Sequence, residues 1–424
     1  MGRFHLLWAD ECGEIREAEK YYALGRSARS FTALSPDSMI PLPSGSTLHL
    51  LPGRLPVGIS VRSGKICPLE CPPDAGYRGK ALAVAALLPP GYLRTFLPAW
   101  KRVGKDYLPF NAFTAIAFRD GQIWAAAQPV SESIRWNWSQ YDCVGLSHKI
   151  KEALRDFPGN RILRHLSRCA EEFHCYTAQN IFLNRWEGGL PSSPSCNASC
   201  LGCISHQPGS RRPPAPQDRI SFIPSPEEIA ELGIRHLTKS EWTIVSFGQG
   251  CEGEPLLQSE MLSKAIRTIR EATGRGTINI NTNGSLPGAL LLLLDSGLDS
   301  LRVSLNSAVE SDYIRYFRPS GYTFKHVLQS LKTAADKGAF LSLNLLVLPG
   351  ITDGKKEFTA LENLLQSCRV DMIQMRNMNI DPDLFLDFMQ PEADEELGIL
   401  NMIRSLEKAF PHIKIGTSSP SLQP

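Results

Sequence analysis

The chain has 424 residues, 42% of them apolar and 21% charged, which supplies enough apolar side chain for a large core and excludes global disorder. With 45 Lys and Arg against 43 Asp and Glu, the net charge of +2 argues against a protein that works mainly by binding nucleic acid. No apolar run nears the roughly 18 residues of a membrane span, and acidic residues arrive too early in MGRFHLLWADECGE for a signal peptide, so a cytoplasmic protein is expected.

The first ~130 residues are punctuated by Pro and Gly, as in IPLPSGSTLHLLPGRLPVGI, and short apolar runs between turn signals predict a mixed or β-rich accessory domain. A helical region is expected over 147–178, and a first strand over 181–186. From there strands and helices alternate. Ser225, Pro226, Glu227 and Glu228 read as a capping box with Pro at the first helical position. Strands are predicted at 242–247, 277–282, 301–305, 340–348 and 372–375. Helices are predicted at 225–239, 258–273, 289–296, 324–337, 355–367 and 392–410. Strict alternation means parallel strands with crossover helices. Six strands suit an α/β fold of the open (β/α)6 partial TIM barrel type. The expected division is an accessory domain over 1–180, the barrel over 181–380, and a C-terminal helix and frayed tail over 381–424.

Buried parallel strands normally read as apolar runs, but several here alternate with polar residues. Asn279, Asn281 and Asn283 share one face, as do Arg302, Ser304 and Asn306, then Ser342 and Asn344, then Gln374 and Arg376. The apolar set must face the outer helices, so the polar set faces the barrel interior. Buried polar groups without partners cost several kcal/mol, on the order of 2–7 each. The lining therefore marks a wet or ligand-filled cavity, with a self-satisfied hydrogen-bond network as the alternative.

Eleven cysteines in a cytoplasmic chain do not read as a disulfide framework. Three cluster as C-x3-C-x2-C: Cys196, Cys200 and Cys203, directly after the expected first strand. Small residues between them let three thiolates surround one metal centre. Soft thiolates select zinc, copper(I) or iron–sulfur. With zinc, His206 offers a fourth ligand and the site is structural; with a four-iron cluster, one iron keeps an open position.

The spacing of Cys196, Cys200 and Cys203 resembles the signature of the radical S-adenosylmethionine (SAM) superfamily. The segment Gly248-Gln249-Gly250-Cys251-Glu252-Gly253-Glu254-Pro255 after the second strand is similar to its GGEP motif, and Leu348-Pro349-Gly350-Ile351-Thr352-Asp353 to its motif beside the adenine. The resemblance covers roughly residues 181–380. It implies that the three cysteines hold a [4Fe–4S] cluster whose open iron chelates SAM, and that reduction yields a 5′-deoxyadenosyl radical. It implies SAM contacts from Gly250, Glu252, Gly253, Glu254 and Pro255, from Asn283, and from Ser304 and Asn306 on the fourth strand. It also implies a flavodoxin- or ferredoxin-type reductant. The sequence departs at Gly202, where the family often has an aromatic residue; this bears on a packing contact near the adenine.

At the end of the sixth strand, Arg376 is expected to neutralise a carboxylate of SAM or substrate, and Asn379 or Asp381 to orient substrate. Cys251 reads as a small buried residue or a second reactive thiol. Cys12 with Cys67 and Cys71, or Cys169 with Cys175, are candidates for a further cluster. Aromatic and basic residues interleave from Tyr92 to Tyr107, a pattern that serves single-stranded RNA or simply surrounds an aromatic core. The reading is a radical SAM enzyme acting on a protein or peptide substrate. Its alternatives are RNA or small-molecule modification, and a non-catalytic zinc-stabilised protein.

Overall fold

The computed structural model describes residues 3–70, 79–131, 143–209 and 212–424. Its N-terminal part is a twelve-stranded antiparallel sheet built from short strands, the longest being Ile15–Ser27, with a two-stranded sheet of Tyr92–Arg94 and Ala127–Pro129. The alternation in His5–Ala9, Leu82–Leu87 and Ile116–Arg119 buries Leu7, Ala9, Val84, Ala86 and Ile116 in one apolar cluster.

Three helices follow: α1 Leu146–Asp156, α2 Arg161–Glu171 and α3 Tyr176–Leu183. The strand expected over 181–186 is therefore not there. Ile181 and Phe182 are buried on α3, which ends where Asn184 turns left-handed at φ 51°. A short apolar run reads equally as a strand or a buried helix turn, and packing decided for helix. These helices share one core with the barrel, so a boundary at 180 falls inside α3.

The barrel strands are β1 Glu187–Gly189, β2 Ile244–Phe247, β3 Thr277–Thr282, β4 Ser300–Leu305, β5 Phe340–Val347, β6 Met372–Asn377 and β7 Lys414–Gly416. They pair in sequence order, all parallel, giving a seven-stranded half-barrel. The crossover helices are α4 Pro226–Lys239, α5 Ser259–Ala272, α6 Pro287–Leu294, α7 Glu310–Phe317, α8 Phe324–Asp336 and α9 Lys355–Ser367. The capping box forms as expected: Glu228 N donates to Ser225 Oγ (3.2 Å) and Ser225 N to Glu228 Oε2 (2.8 Å). Ile278, Ile280, Leu301, Val303, Leu343 and Ile373 are buried under these helices.

Two C-terminal expectations change. The helix expected over 392–410 begins only at α11 Ile399–Ala409, and an unexpected helix, α10 Pro382–Met389, precedes it. The stretch between them is tied to the start of α9, where Lys356 N donates to Asp394 Oδ2 (2.8 Å) and Lys355 N to Glu395 O (2.9 Å). Those bonds outweigh helix propensity in so short a segment. The tail is docked rather than frayed. It adds β7 to the sheet and buries Thr417 and Ser419, while Leu422 N donates to Thr277 Oγ1 (2.8 Å).

The N-terminal sheet clamps the barrel at α10. Arg54 pairs with Asp381 (2.7 Å), Arg26 with Asp383 (2.7 Å) and Arg102 with Asp387 (2.9 Å), and Trp100 Nε1 donates to Asp383 (2.9 Å). Arg94, fully buried, donates to Phe113 O (3.1 Å) and Met378 O (2.8 Å). The basic and aromatic residues between Tyr92 and Tyr107 are thus largely spent inside the protein. No described helix is long and apolar enough to cross a membrane.

Candidate active site

The cysteine loop is held by backbone bonds on two sides. On one side Ser199 N donates to Phe317 O (3.0 Å), Leu201 N to Tyr316 O (2.9 Å) and Ser320 N to Asn197 O (2.8 Å). On the other, Gly253 N donates to Ser193 O (2.7 Å) and Glu254 N to Ser195 O (2.8 Å). This approach explains two glycines. A Cβ on Gly253 would lie 2.5 Å from the Ser195 carbonyl carbon, and Gly248, at φ 75°, sits against the Asn281 carbonyl.

The two glutamates of this loop turn inward. Glu252 accepts from Ser192 N (2.7 Å), Ser192 Oγ (2.7 Å), Ser193 N (3.1 Å), Gly248 N (2.5 Å) and Gln249 N (3.2 Å). Glu254 accepts from Thr282 Oγ1 (2.5 Å), Asn283 N (2.8 Å) and Leu256 N (3.0 Å). Burial pushes both carboxyls up to about 7 against these donors. Pro255 opens a short 3-10 turn behind the loop. Asn283 Nδ2 donates to Asn197 Oδ1 (2.8 Å), joining the end of β3 to the cysteine loop.

Cys196 and Cys200 are inward-facing thiols. Burial, then Glu254, pushes Cys196 up to about 11; burial and the neighbouring thiols raise Cys200 well above the usual range. Arg219 Nη2 lies 3.5 Å from Cys203 Sγ, and Arg318 acts electrostatically on Cys200 and Cys203. Three half-buried thiols gathered on one loop suit a cationic iron centre, which would hold them as thiolates. Buried Arg318 Nε and Nη2 have no partner among the described residues and are available to that centre's sulfurs.

A cavity of about 720 Å³ opens between the loop, the strand ends and the N-terminal sheet. Cys200, Cys203, Gly250, Glu252 and Gly253 line one side, and Asn281, Arg302, Ser304, Asn344, Arg376 and Asn379 another. Residues Leu87–Tyr92 of the N-terminal part form its lip. The polar lining divides into two layers. Below, Asn279 bonds Ser246 Oγ (3.1 Å) and Ser300 Oγ (2.9 Å), and Gln374 bonds Arg302 Nη1 (3.0 Å) and Ser419 Oγ (3.2 Å), a network satisfied within the protein. Above, Arg302 Nε and Asn344 Oδ1 are buried with no partner among the described residues and border the cavity. Orphaned atoms at a cavity wall fit a polar ligand.

Of the expected site residues, Glu254, Pro255 and Asn283 stand beside the loop without lining the cavity, and two more lie elsewhere. Asp381 is fully buried: its carboxylate holds Arg54 (2.7 Å), Leu108 N (2.7 Å) and Asp383 N (2.8 Å), so it caps α10 and clamps the N-terminal sheet rather than facing substrate. Asn306 borders a separate depression with Asp312 and Glu357. Conversely, Tyr316 went unnoticed in the sequence. Its hydroxyl stands where a Cβ on Gly202 would be, 2.6 Å away, and its ring lines the cavity. The only sequence signal for it was the Tyr313, Tyr316, Phe317 spacing of an amphipathic turn. Glu187, which accepts from Ser246 Oγ (2.6 Å) and Gln249 Nε2 (2.9 Å), carried no motif at all. Cys71 lies outside the described residues; Cys12 is exposed and Cys67 half-buried.

Residues 190–361 match the family model of the Radical SAM superfamily. That segment is a radical SAM domain, the domain that in this superfamily works with a [4Fe–4S] cluster and SAM. No curated protein matches the chain. Among solved structures it is similar to methylornithine synthase (PylB), at 17% identity and TM-score 0.38, covering 64% of this chain and 78% of that one. It is also similar to a radical SAM methyltransferase from Sphaerobacter thermophilus, at 13% identity and TM-score 0.38, covering 55% and 65%. A third is SuiB from Streptococcus suis bound to precursor peptide SuiA, at 13% identity and TM-score 0.38, covering 61% and 53%.

Proposed function

We propose that Cys196, Cys200 and Cys203 hold the cluster, that SAM lies across the strand ends beside Gly250–Gly253 and Ser304, and that the substrate carries a carboxylate or similar anion. The observation that carries this is one cavity bordered at once by the cysteine loop, the glycine loop and two arginines, Arg302 and Arg376. A cluster held by Cys196, Cys200 and Cys203 would supply the electron for reductive cleavage of SAM and so the radical chemistry that acts on a substrate hydrogen.

The chain's own residues do the rest. Arg219 and Arg318 offset negative charge at the thiolates. Tyr316 supplies the aromatic surface that Gly202 lacks, coming from α7 instead of from the loop. Arg302, on β4, is fixed by Gln374 at one nitrogen and offers Nε to the cavity, and Arg376 stands at the end of β6, with β5 between the two. Arg302 and Arg376 both border the cavity, which favours a substrate that carries an anionic group. Residues Leu87–Tyr92 of the N-terminal part border the cavity, so the N-terminal part shares in receiving the substrate, a small molecule or a loop or terminus of a protein or peptide. The reductant is of the flavodoxin or ferredoxin type, and the site of action is the cytoplasm.

Anaerobic reconstitution tests the reading. The protein turns brown, binds iron, and releases 5′-deoxyadenosine on reduction; Cys200→Ala abolishes all of this. Deuterated carboxylate-bearing candidates, free or within a peptide, then transfer deuterium into 5′-deoxyadenosine. A colourless protein holding zinc at the loop cysteines would refute the proposal.

A further inference from the structure

Behind the cavity, on the opposite face of the glycine loop, lies a second group of ligating side chains. His165 and Cys169 stand four residues apart on α2 and so share one helix face. Cys251 reaches them from the loop between Gly250 and Glu252. The imidazole nitrogen and the two sulfurs all lie within 4.8 Å of one another, the one such group among the described residues. His165 Nε2 and Cys169 Sγ are 3.5 Å apart. A tetrahedral zinc with ordinary Zn–S and Zn–N lengths has an S···N edge of about 3.6 Å and an S···S edge of about 3.8 Å. The His165–Cys169 edge thus matches a zinc site, and Cys251 stands within 4.8 Å of both.

We propose that His165, Cys169 and Cys251 bind one zinc ion, separate from the cluster site. Two thiolates and an imidazole are a soft-to-borderline set that selects zinc over magnesium or calcium. Cys169 and Cys251 are buried, which keeps the sulfurs dry, while His165 is half-buried and leaves a path for the metal and for a water at the fourth corner. Cys175 is not part of the group; its sulfur is turned to Thr177 Oγ1 (3.3 Å). A disulfide between Cys169 and Cys251 is the competing use of the thiols, but it gives His165 no role. The ion ties α2 to the back of the loop whose front lines the cavity. It therefore fixes the loop by a bond that the barrel itself does not supply.

The test removes the cluster cysteines so that they cannot bind zinc. The full-length chain with Cys196→Ala, Cys200→Ala and Cys203→Ala is purified anaerobically, equilibrated with zinc and desalted, and its zinc is measured by mass spectrometry. About one zinc per chain is expected, with a rise in melting temperature on adding zinc and tetrahedral thiolate–cobalt absorption when cobalt replaces it. Cys169→Ser and Cys251→Ser in that background lose the metal. Because a buried serine can impair folding, His165→Ala is made as well; at its half-buried position it weakens zinc retention against a chelator by about tenfold or more. Zinc content indifferent to all three changes, no zinc after equilibration, or a Cys169–Cys251 disulfide in anaerobic protein would each overturn the site. The zinc content of the cysteine-free loop is blind to SAM cleavage, so this result and the fate of the proposed function are read separately.

Discussion

Gly253→Ala tests how tightly the glycine loop must press on the cysteine loop. The added Cβ would stand 2.5 Å from the Ser195 carbonyl carbon and 3.1 Å from Cys196 N, both backbone atoms that cannot swing aside. Carbon atoms settle about 3.5 Å apart, so the segment carrying Cys196 has to retreat by about 1 Å. That retreat stretches the bonds from Gly253 N to Ser193 O (2.7 Å) and from Glu254 N to Ser195 O (2.8 Å). Each buried backbone group left without a partner costs about 1–3 kcal/mol. Misplacing a reacting centre by about 1 Å costs on the order of 100-fold in rate. The assay is anaerobic reconstitution with iron counting, a thermal melt, and 5′-deoxyadenosine release. The expected variant melts lower, holds less iron and cleaves SAM about 100-fold more slowly. Gly288→Ala is the control, since a Cβ there meets nothing within 4 Å. A Gly253→Ala protein with full iron and a rate within about twofold of the parent would refute the reasoning.

Asp381→Asn takes from buried Arg54 its nearer counter-charge and leaves only Asp383 at 3.6 Å, and denaturant melts should show a loss of about 3 kcal/mol, at the low end for a broken buried pair; a loss below about 1 kcal/mol would mean the clamp is not structural. His236 is fully buried and burial lowers it to about 4, with Nε2 donating to Trp186 O (3.0 Å). The unfolded chain binds the proton first, so stability falls as pH drops from about 6.5 to about 4, by about 3 kcal/mol in total. His236→Gln keeps the donor and flattens that slope; an unchanged pH profile of the melting temperature would contradict it. Arg376→Ala should weaken SAM or substrate binding by about tenfold or more, with Lys only partly restoring it, as calorimetry reads directly. Unchanged affinity for both ligands would end that role.

Much of the barrel was legible because its signals are local. Ser225 and Pro226 start α4 where the capping pattern says, and the alternation in Thr277–Thr282 and Phe340–Val347 marks buried strands with a polar face. The cysteine spacing and the glycine loop were equally local, since a short loop and close backbone approach demand those residues. The reading failed where a segment's fate depended on a distant partner. Ile181 and Phe182 are apolar in either a strand or a helix, and only their packing against the barrel core made them helical. Asp381 looked like a site residue from its neighbours Arg376 and Asn379, but Arg54, 327 positions away, claims it.

The sequence by itself determined the local chemistry: three thiols close enough in the chain to share one loop, glycines where backbone must approach, and polar residues on one face of buried strands. Those follow from bond lengths and from the period of a strand, which act over a few residues. Tertiary structure decided who stands beside that chemistry. It brought Tyr316 over Gly202, Arg219 to Cys203, and Cys251 to His165 and Cys169. It also divided one polar lining into a satisfied lower layer and a cavity-facing upper one. The reason is physical: a hydrogen bond or ligand group is completed through space, and its partner's place in the chain carries no periodic or local signal.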